Sequence, residues 1–275
     1  MAGHGFPLHR RGLLGLGVLA LLRPATGWAE PALPAQDLKM IGKAKVVEVV
    51  DGDTVRLDNR EQVRLVGTQA PKLPLDRPNF KKWPFADESK ARLEALCLGR
   101  SVTLHAGGAE RDRHGRVLAH LACDGVWLQG AMIEGGFARV YTFKDNRALA
   151  DRMLPLEASA RTDKRGLWAD ATYRVRRADD PTLIEAVDGI PGYLIVQGKV
   201  RKVGSAGGRW FLNFGADRTS DFTATVAPDD AEAFAGVDLA GYADRVLQVR
   251  GWLEARNGPS MDLTHPEQIE IVARD

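Results

Sequence analysis

Among the arginines of this chain, the residue type best suited to holding a phosphate, Arg64 has the most informative setting. A guanidinium is planar and can hold two phosphate oxygens at once. Arg64 lies between Val63 and Leu65 in an apolar stretch, where an unpaired guanidinium would be costly, so it is expected to face a pocket; the alternative is an edge-strand charge facing water. Ahead of it, Asp51-Gly52-Asp53-Thr54 supplies two carboxylates and a hydroxyl, although taken alone this tetrapeptide is also an ordinary hairpin turn. Hydrolysing a phosphodiester needs a nucleophilic water, neutralisation of charge on phosphorus and help for the leaving oxygen. A hard cation together with cationic side chains supplies most of that.

The elements that must position these groups are short. From Lys45 to Val66 apolar and polar residues alternate, interrupted by the turn-like Asp58-Asn59-Arg60-Glu61, which predicts two or three antiparallel strands. A Pro-punctuated loop from Leu73 to Pro84 leads to a predicted helix from about Phe85 to Leu98, with Gly99 as its stop. Ser101 to His105 and Val117 to Ala122 read as strands, and Trp127 to Glu134 and Asn146 to Thr162 as helices. After a polar stretch read as a linker, 171–190, a second β-rich unit follows. Its strand candidates are Tyr193 to Val203, Trp210 to Phe214, Asp221 to Val226, Val246 to Glu254 and Gln268 to Val272, with a short helix from Asp229 to Phe234 and a turn at Asn257-Gly258-Pro259.

In their order, Asp51-Gly52-Asp53-Thr54, Arg64-Leu65-Val66-Gly67-Thr68-Gln69-Ala70-Pro71-Lys72 and Asp112-Arg113-His114-Gly115-Arg116 resemble the motifs of a staphylococcal-nuclease-like (thermonuclease) domain. The resemblance covers residues 45–170 and implies a five-stranded oligonucleotide/oligosaccharide-binding (OB) barrel carrying three helices. Residues 191–273 resemble a second, smaller OB barrel, so the expected fold is mainly β with α (α+β). In that family an Asp-rich turn and a second Asp bind calcium, a Glu assists the attacking water, and two arginines clamp the phosphate. The resemblance places Asp53 as the first metal ligand, Asp51 as the nearby acid, Thr54 as its hydrogen-bonding neighbour, and Arg64 and Arg116 as the clamp.

Two positions depart from the family pattern. Gln69 stands where the second carboxylate ligand is usual, and Lys72 where the water-handling Glu is usual, making the pocket three charges more positive. Gln offers calcium only a neutral carbonyl oxygen. An ammonium facing a divalent ion at roughly 4 Å costs several kcal/mol even at an effective dielectric near 20, and a missing general base costs about 10² to 10⁴ in rate. Lys72 is then either a phosphate-binding point charge or a solvent-facing loop lysine. Asp76, Asp87 and Glu88 are the carboxylates near enough in sequence to substitute, although Asp87 and Glu88 also suit the first turn of a helix.

The chain has 275 residues, 44% apolar and 27% charged, which reads as soluble and globular. Residues 1–29 have the form of an export signal: Arg10-Arg11, an apolar run from Gly12 to Leu22 too short to span a bilayer, and Gly27-Trp28-Ala29 before Glu30. Arg-Arg-Gly-Leu-Leu also resembles a twin-arginine signal, so a periplasmic or secreted location by either route is expected, with 30–44 a short N-terminal segment. Cleavage would remove three arginines and no acid, moving the formal charge from +2 to −1. By count, 30–170 carries +3 and 191–275 carries −3, so neither half is a strong bulk polyanion binder. Cys97 and Cys123 permit one disulfide or two buried thiols, and His105, His114, His120 and His265 show no zinc spacing.

These readings give three candidate functions. The first is an exported protein binding nucleic acid or nucleotide on a nuclease-type domain with doubtful hydrolysis. The second is an active nuclease with rearranged metal ligation, and the third an envelope module binding protein or glycan. In the second barrel, Tyr193, Trp210, Phe211, Phe214, Phe222 and Trp252 are stacking platforms or core, and Arg201, Lys202 and Arg209 a local basic cluster or a solvated hairpin tip.

Overall fold

The computed structural model describes residues 30–187, 189–190, 192–217 and 219–272, together with Met1. The expected export signal lies outside them, and among the described residues no helix is long and apolar enough to cross a membrane.

The first unit comprises β1 (Lys39–Asp51), β2 (Thr54–Leu57), β3 (Gln62–Leu65), β4 (Thr68–Gln69), α1 (Ala86–Cys97), β5 (Ser101–Ala106), β6 (Val117–Cys123), β7 (Val126–Trp127), α2 (Leu128–Glu134), β8 (Arg139–Val140) and α3 (Ala150–Thr162). β1 starts at Lys39, inside the expected N-terminal segment. Its first half pairs with β5 and its second half with β2. Register irregularities between Val46 and Glu48, and again between Val49 and Asp51, bend the strand so that it can serve both neighbours. Antiparallel β2–β3 and β5–β6 pairs and a parallel β3–β6 pair then close a barrel. Val46, Val55, Val63, Leu65, Val102 and Leu121 fill it, and Leu93 of α1, Met132 of α2 and Met153 of α3 pack on the same core. α1 ends two residues before Gly99, whose φ of +74° is the left-handed turn that glycine adopts without strain.

The stretch read as a linker contributes β9 (Arg176–Arg177), parallel to the next strand. The second unit continues with β10 (Tyr193–Lys199), β11 (Lys202–Ala206), β12 (Arg209–Asn213), β13 (Thr223–Val226), β14 (Val246–Ala255), β15 (Pro259–Asp262) and β16 (Ile269–Ile271). The expected strand from Tyr193 to Val203 is divided at Val200-Arg201: β10 pairs with β14, and β11 with β12. Antiparallel β12–β13, parallel β13–β15 and antiparallel β14–β15 pairs complete the same circuit as the first barrel. The OB-like reading of this region therefore holds, but its fifth barrel strand is Pro259–Asp262 and not the expected Gln268 to Val272. Asn257 and Gly258 both have positive φ, 52° and 86°, and reverse the chain at once after β14, so the residues that follow pair straight back. β16 pairs instead with the first half of β14, at Leu247 to Val249. The expected helix from Asp229 to Phe234 is a 3₁₀ segment, Pro228–Phe234.

Candidate phosphate site

The β1–β2 turn is the centre of the site, and its four residues, Asp51 to Thr54, are all buried. Gly52 is there for space: a Cβ on it would come within 1.9 Å of Ser89 Oγ on α1 and 2.7 Å of the Ala70 Cβ. The helix and the Ala70 loop can therefore close over the turn. Ser89 holds the lid in place by donating to the Phe137 carbonyl at 2.6 Å.

Within the turn, the Asp51 carboxylate accepts from the Asp53 backbone N–H at 3.1 Å. The Asp53 carboxylate accepts from Ala70 N–H at 2.7 Å and from the Thr54 hydroxyl at 3.1 Å. Two cations complete its shell. Arg64 Nη2 lies 3.2 Å from Asp53 Oδ2, and Lys72 Nζ lies 2.7 Å from each Asp53 oxygen and 3.1 Å from Asp51 Oδ2. Burial by itself would raise the Asp53 pKa, but Arg64 and Lys72 outweigh it and hold this carboxyl well below the usual range. Asp51 is raised, first by burial and then by the neighbouring Asp53 charge. The two acids share one turn and have opposite characters.

Arg64 faces this pocket and not water, with its side chain 11% exposed. Its position on β3 brings Nη1 to the carbonyls of Leu65 (2.9 Å) and Asp53 (3.3 Å), and Nη2 to that of Thr68. Arg116 precedes β6. The β3–β6 register sets Arg64 opposite Leu118, two residues after Arg116. Asp112 orients Arg116 through contacts of 2.7 Å to Nε and Nη2. Burial would raise Asp112, and the Arg116 hydrogen bond with the backbone N–H groups of Arg116 and His114 lowers it overall.

The structure thus brings together Asp51, Asp53, Thr54, Arg64 and Lys72, holds Arg116 against Asp112 at the entry to the strand neighbouring β3, and leaves Gln69 out. The Gln69 carbonyl oxygen accepts from Nη2 of the buried Arg139. Lys72 is neither free in solvent nor aimed at an empty pocket. The expected substitute carboxylates do not reach the turn: Asp87 pairs with Lys82 at 2.5 Å, while Asp76 and Glu88 are exposed. A calcium ion does not fit this donor set, because the ammonium already engages both Asp53 oxygens and Gln69 is committed elsewhere. No group of three His, Cys, Asp or Glu side chains able to hold a metal occurs among the described residues.

The other sequence candidates have structural roles. Tyr193, Phe214 and Phe222 are core, whereas Trp252 is 47% exposed and donates to the Tyr141 hydroxyl. Cys97 and Cys123 are separate buried thiols. His120 accepts from Trp127 Nε1, and His265 contacts Thr142 Oγ1 at 2.7 Å. Residues that sequence reasoning missed are Ala70 and Thr68, which act through their backbones, and Arg139. The signal that exposed Arg64, an arginine inside an apolar run, is equally present at Ala138-Arg139-Val140.

Comparison with known proteins places the site in a family context. The model for staphylococcal nuclease homologues matches residues 62–170. An uncharacterized endonuclease of Escherichia coli is 36% identical over 132 residues, covering 46% of this chain and 77% of that protein. A thermonuclease of Staphylococcus hyicus is 25% identical over 129 residues, covering 46% and 75%. An uncharacterized protein of Bacillus anthracis is 31% identical over 132 residues, and there the chain spans only 61% of the relative's length. The second barrel lies beyond the matched family segment.

Proposed function

The chain belongs to the staphylococcal nuclease homologues, and from that premise we propose that it binds nucleic acid or another phosphodiester at Arg64, Lys72 and Arg116 and hydrolyses it weakly or not at all. The observation that carries this reading is the Lys72 ammonium, 2.7 Å from both oxygens of Asp53. A tethered monovalent cation stands where a hard divalent cation would need to meet these carboxylates. It can neutralise a phosphate oxygen as a point charge. It cannot lower the pKa of a bound water as a metal does.

Phosphate binding requires Lys72 to release one acceptor. Its contact with Asp51 is the longest of its three, and Asp51 is the weaker acid, so exchanging that oxygen for a phosphate oxygen costs least. Six charged groups, Asp51, Asp53, Asp112, Arg64, Lys72 and Arg116, balance formally to zero, which argues for modest affinity with strong salt dependence. Export through the 1–29 signal belongs to the same reading: a periplasmic or secreted binder of phosphodiesters. The Escherichia coli relative, an uncharacterized endonuclease, and the Staphylococcus hyicus thermonuclease support a second reading, an active nuclease using other ligands.

The test is oligonucleotide binding by fluorescence anisotropy in a chelator, together with cleavage of denatured DNA and RNA in calcium, magnesium and manganese. Saturable binding without metal, weakened by salt and lost in Arg64→Ala, with no cleavage, is the expected result. Cleavage by the native protein that disappears in Asp53→Ala establishes the second reading, and absence of any saturable binding at low salt removes the first.

A further inference from the structure

Gln69 departs from the family pattern, yet its amide has a defined partner. Arg139, which holds the Gln69 oxygen through Nη2, donates through Nη1 to the carbonyl of Tyr193 at 2.7 Å. Tyr193 begins β10 of the second barrel. Arg139 is 3% exposed and lies between the rings of Tyr173 and Tyr193, at 5.4 and 5.2 Å. It forms no carboxylate ion pair among the described residues.

The next residue is tied to the second barrel as well. Val140 N–H donates to Glu157 Oε1 at 2.7 Å, and the other Glu157 oxygen lies 2.8 Å from Nη1 of Arg250 on β14. Arg250 is 1% exposed, reaches the Val140 carbonyl at 3.5 Å, and is held from behind by Glu270. Arg139 and Val140 are the whole of β8, and β8 pairs residue for residue with Gln69 and Thr68 of β4. β4 is the strand whose Thr68 carbonyl receives Arg64, and it leads directly to the Ala70 N–H that binds Asp53.

We propose that Arg139 and Arg250 are positioning residues through which the second barrel fixes the β4–β8 ribbon, and with it the placement of Asp53, Arg64 and Lys72; Gln69 serves as the acceptor of that bolt. Burying two guanidiniums is costly unless their donors meet well-placed acceptors, and satisfying them narrows the ribbon to one arrangement. A neutral amide at position 69 does this without adding a charge beside Asp53. The second barrel therefore braces the ribbon that carries the phosphate site and is not an appended module. The affinity part of this inference rests on the phosphate-binding reading above, whereas its structural part does not.

The experiment is hydrogen–deuterium exchange across the full-length protein, paired with oligonucleotide affinity, for Gln69→Leu, Gln69→Glu and Lys144→Ala. Gln69→Leu is expected to raise exchange of residues 67–72 and 139–141 about tenfold and to weaken oligonucleotide binding about tenfold, with β1 and β5 still protected. Gln69→Glu restores an acceptor for Arg139 and keeps the ribbon protected. Lys144→Ala removes only the exposed cross-barrel pair with Asp230 and changes neither readout. Unchanged exchange at 67–72 in Gln69→Leu, or a rise spread evenly over the first barrel, overturns the proposal. If Gln69→Leu does not fold, Arg139→Lys, which keeps the charge and loses the fork, is read in the same segments. If native protein binds no oligonucleotide, the phosphate reading falls while the exchange data still decide the bolt.

Discussion

The two barrels trace one strand circuit and differ in what their first hairpin buries. In the first, the β1–β2 turn is Asp51-Gly52-Asp53-Thr54, covered by α1 and the Ala70 loop, and its carboxylates are matched by Arg64 and Lys72. In the second, the equivalent β11–β12 turn is Gly207-Gly208, exposed, with φ of 56° and 78°. The charged residues near that sheet, Arg209, Arg256 and Asp262, pair with one another at the surface. A shared topology therefore does not make a site. Burial of the hairpin does, because buried charges must acquire partners and those partners fix a constellation.

The largest effect that sharpens this contrast is expected at the junction. Arg250→Met leaves the buried Glu157 with only its longer 3.5 Å ion pair to Arg161 and should cost about 3–5 kcal/mol in urea unfolding. Two independent unfolding steps with the first unaltered in this variant would show that the barrels do not depend on one another.

A pH effect comes next. Burial holds His120, in the first barrel, and His265, at the junction, down at about 4. Both are neutral when folded, while the unfolded chain takes up protons below about 6.5, so their stabilisation is present above that pH and is lost as pH falls toward about 4. His265→Gln should flatten the pH 7 to 4 stability profile by on the order of 2–3 kcal/mol. An unchanged slope in that variant would show that His265 is not a source of the acid sensitivity.

Binding should follow the buried hairpin alone. Arg64→Ala is expected to weaken oligonucleotide affinity about 10- to 100-fold and to reduce the salt slope by about one phosphate contact. Arg209→Ala, in the second barrel, should leave affinity within about twofold; equal losses would erase the contrast between the barrels. The smallest change is expected for the exposed Lys199–Asp244 pair, where Lys199→Ala should shift stability by less than about 0.5 kcal/mol in the same urea titration.

Much of this was readable in advance, for identifiable reasons. The Arg64 pocket followed from a guanidinium in an apolar strand, and the first barrel's strands from period-2 alternation. The strand at Pro259–Asp262 was missed because four residues after a turn carry too little pattern, while the more apolar Ile269–Ile271 attracted the assignment. Arg139 and Arg250 carried the same signal as Arg64, but nothing local indicates that a barrel 54 residues along the chain supplies the Tyr193 carbonyl.

The sequence by itself determined the barrel elements, the order of the Asp and Arg motifs, and the replacement of two carboxylates by Gln69 and Lys72, because residue types and short-range periodicity are local properties. Where those two replacements point was decided only by tertiary structure. Lys72 lies on Asp53 because an ammonium brought beside two buried carboxylates lowers their desolvation cost most there. Gln69 turns to Arg139 because a buried guanidinium takes the nearest acceptor that the folded chain presents, and that proximity exists only once β4 and β8, separated by 70 residues, have paired.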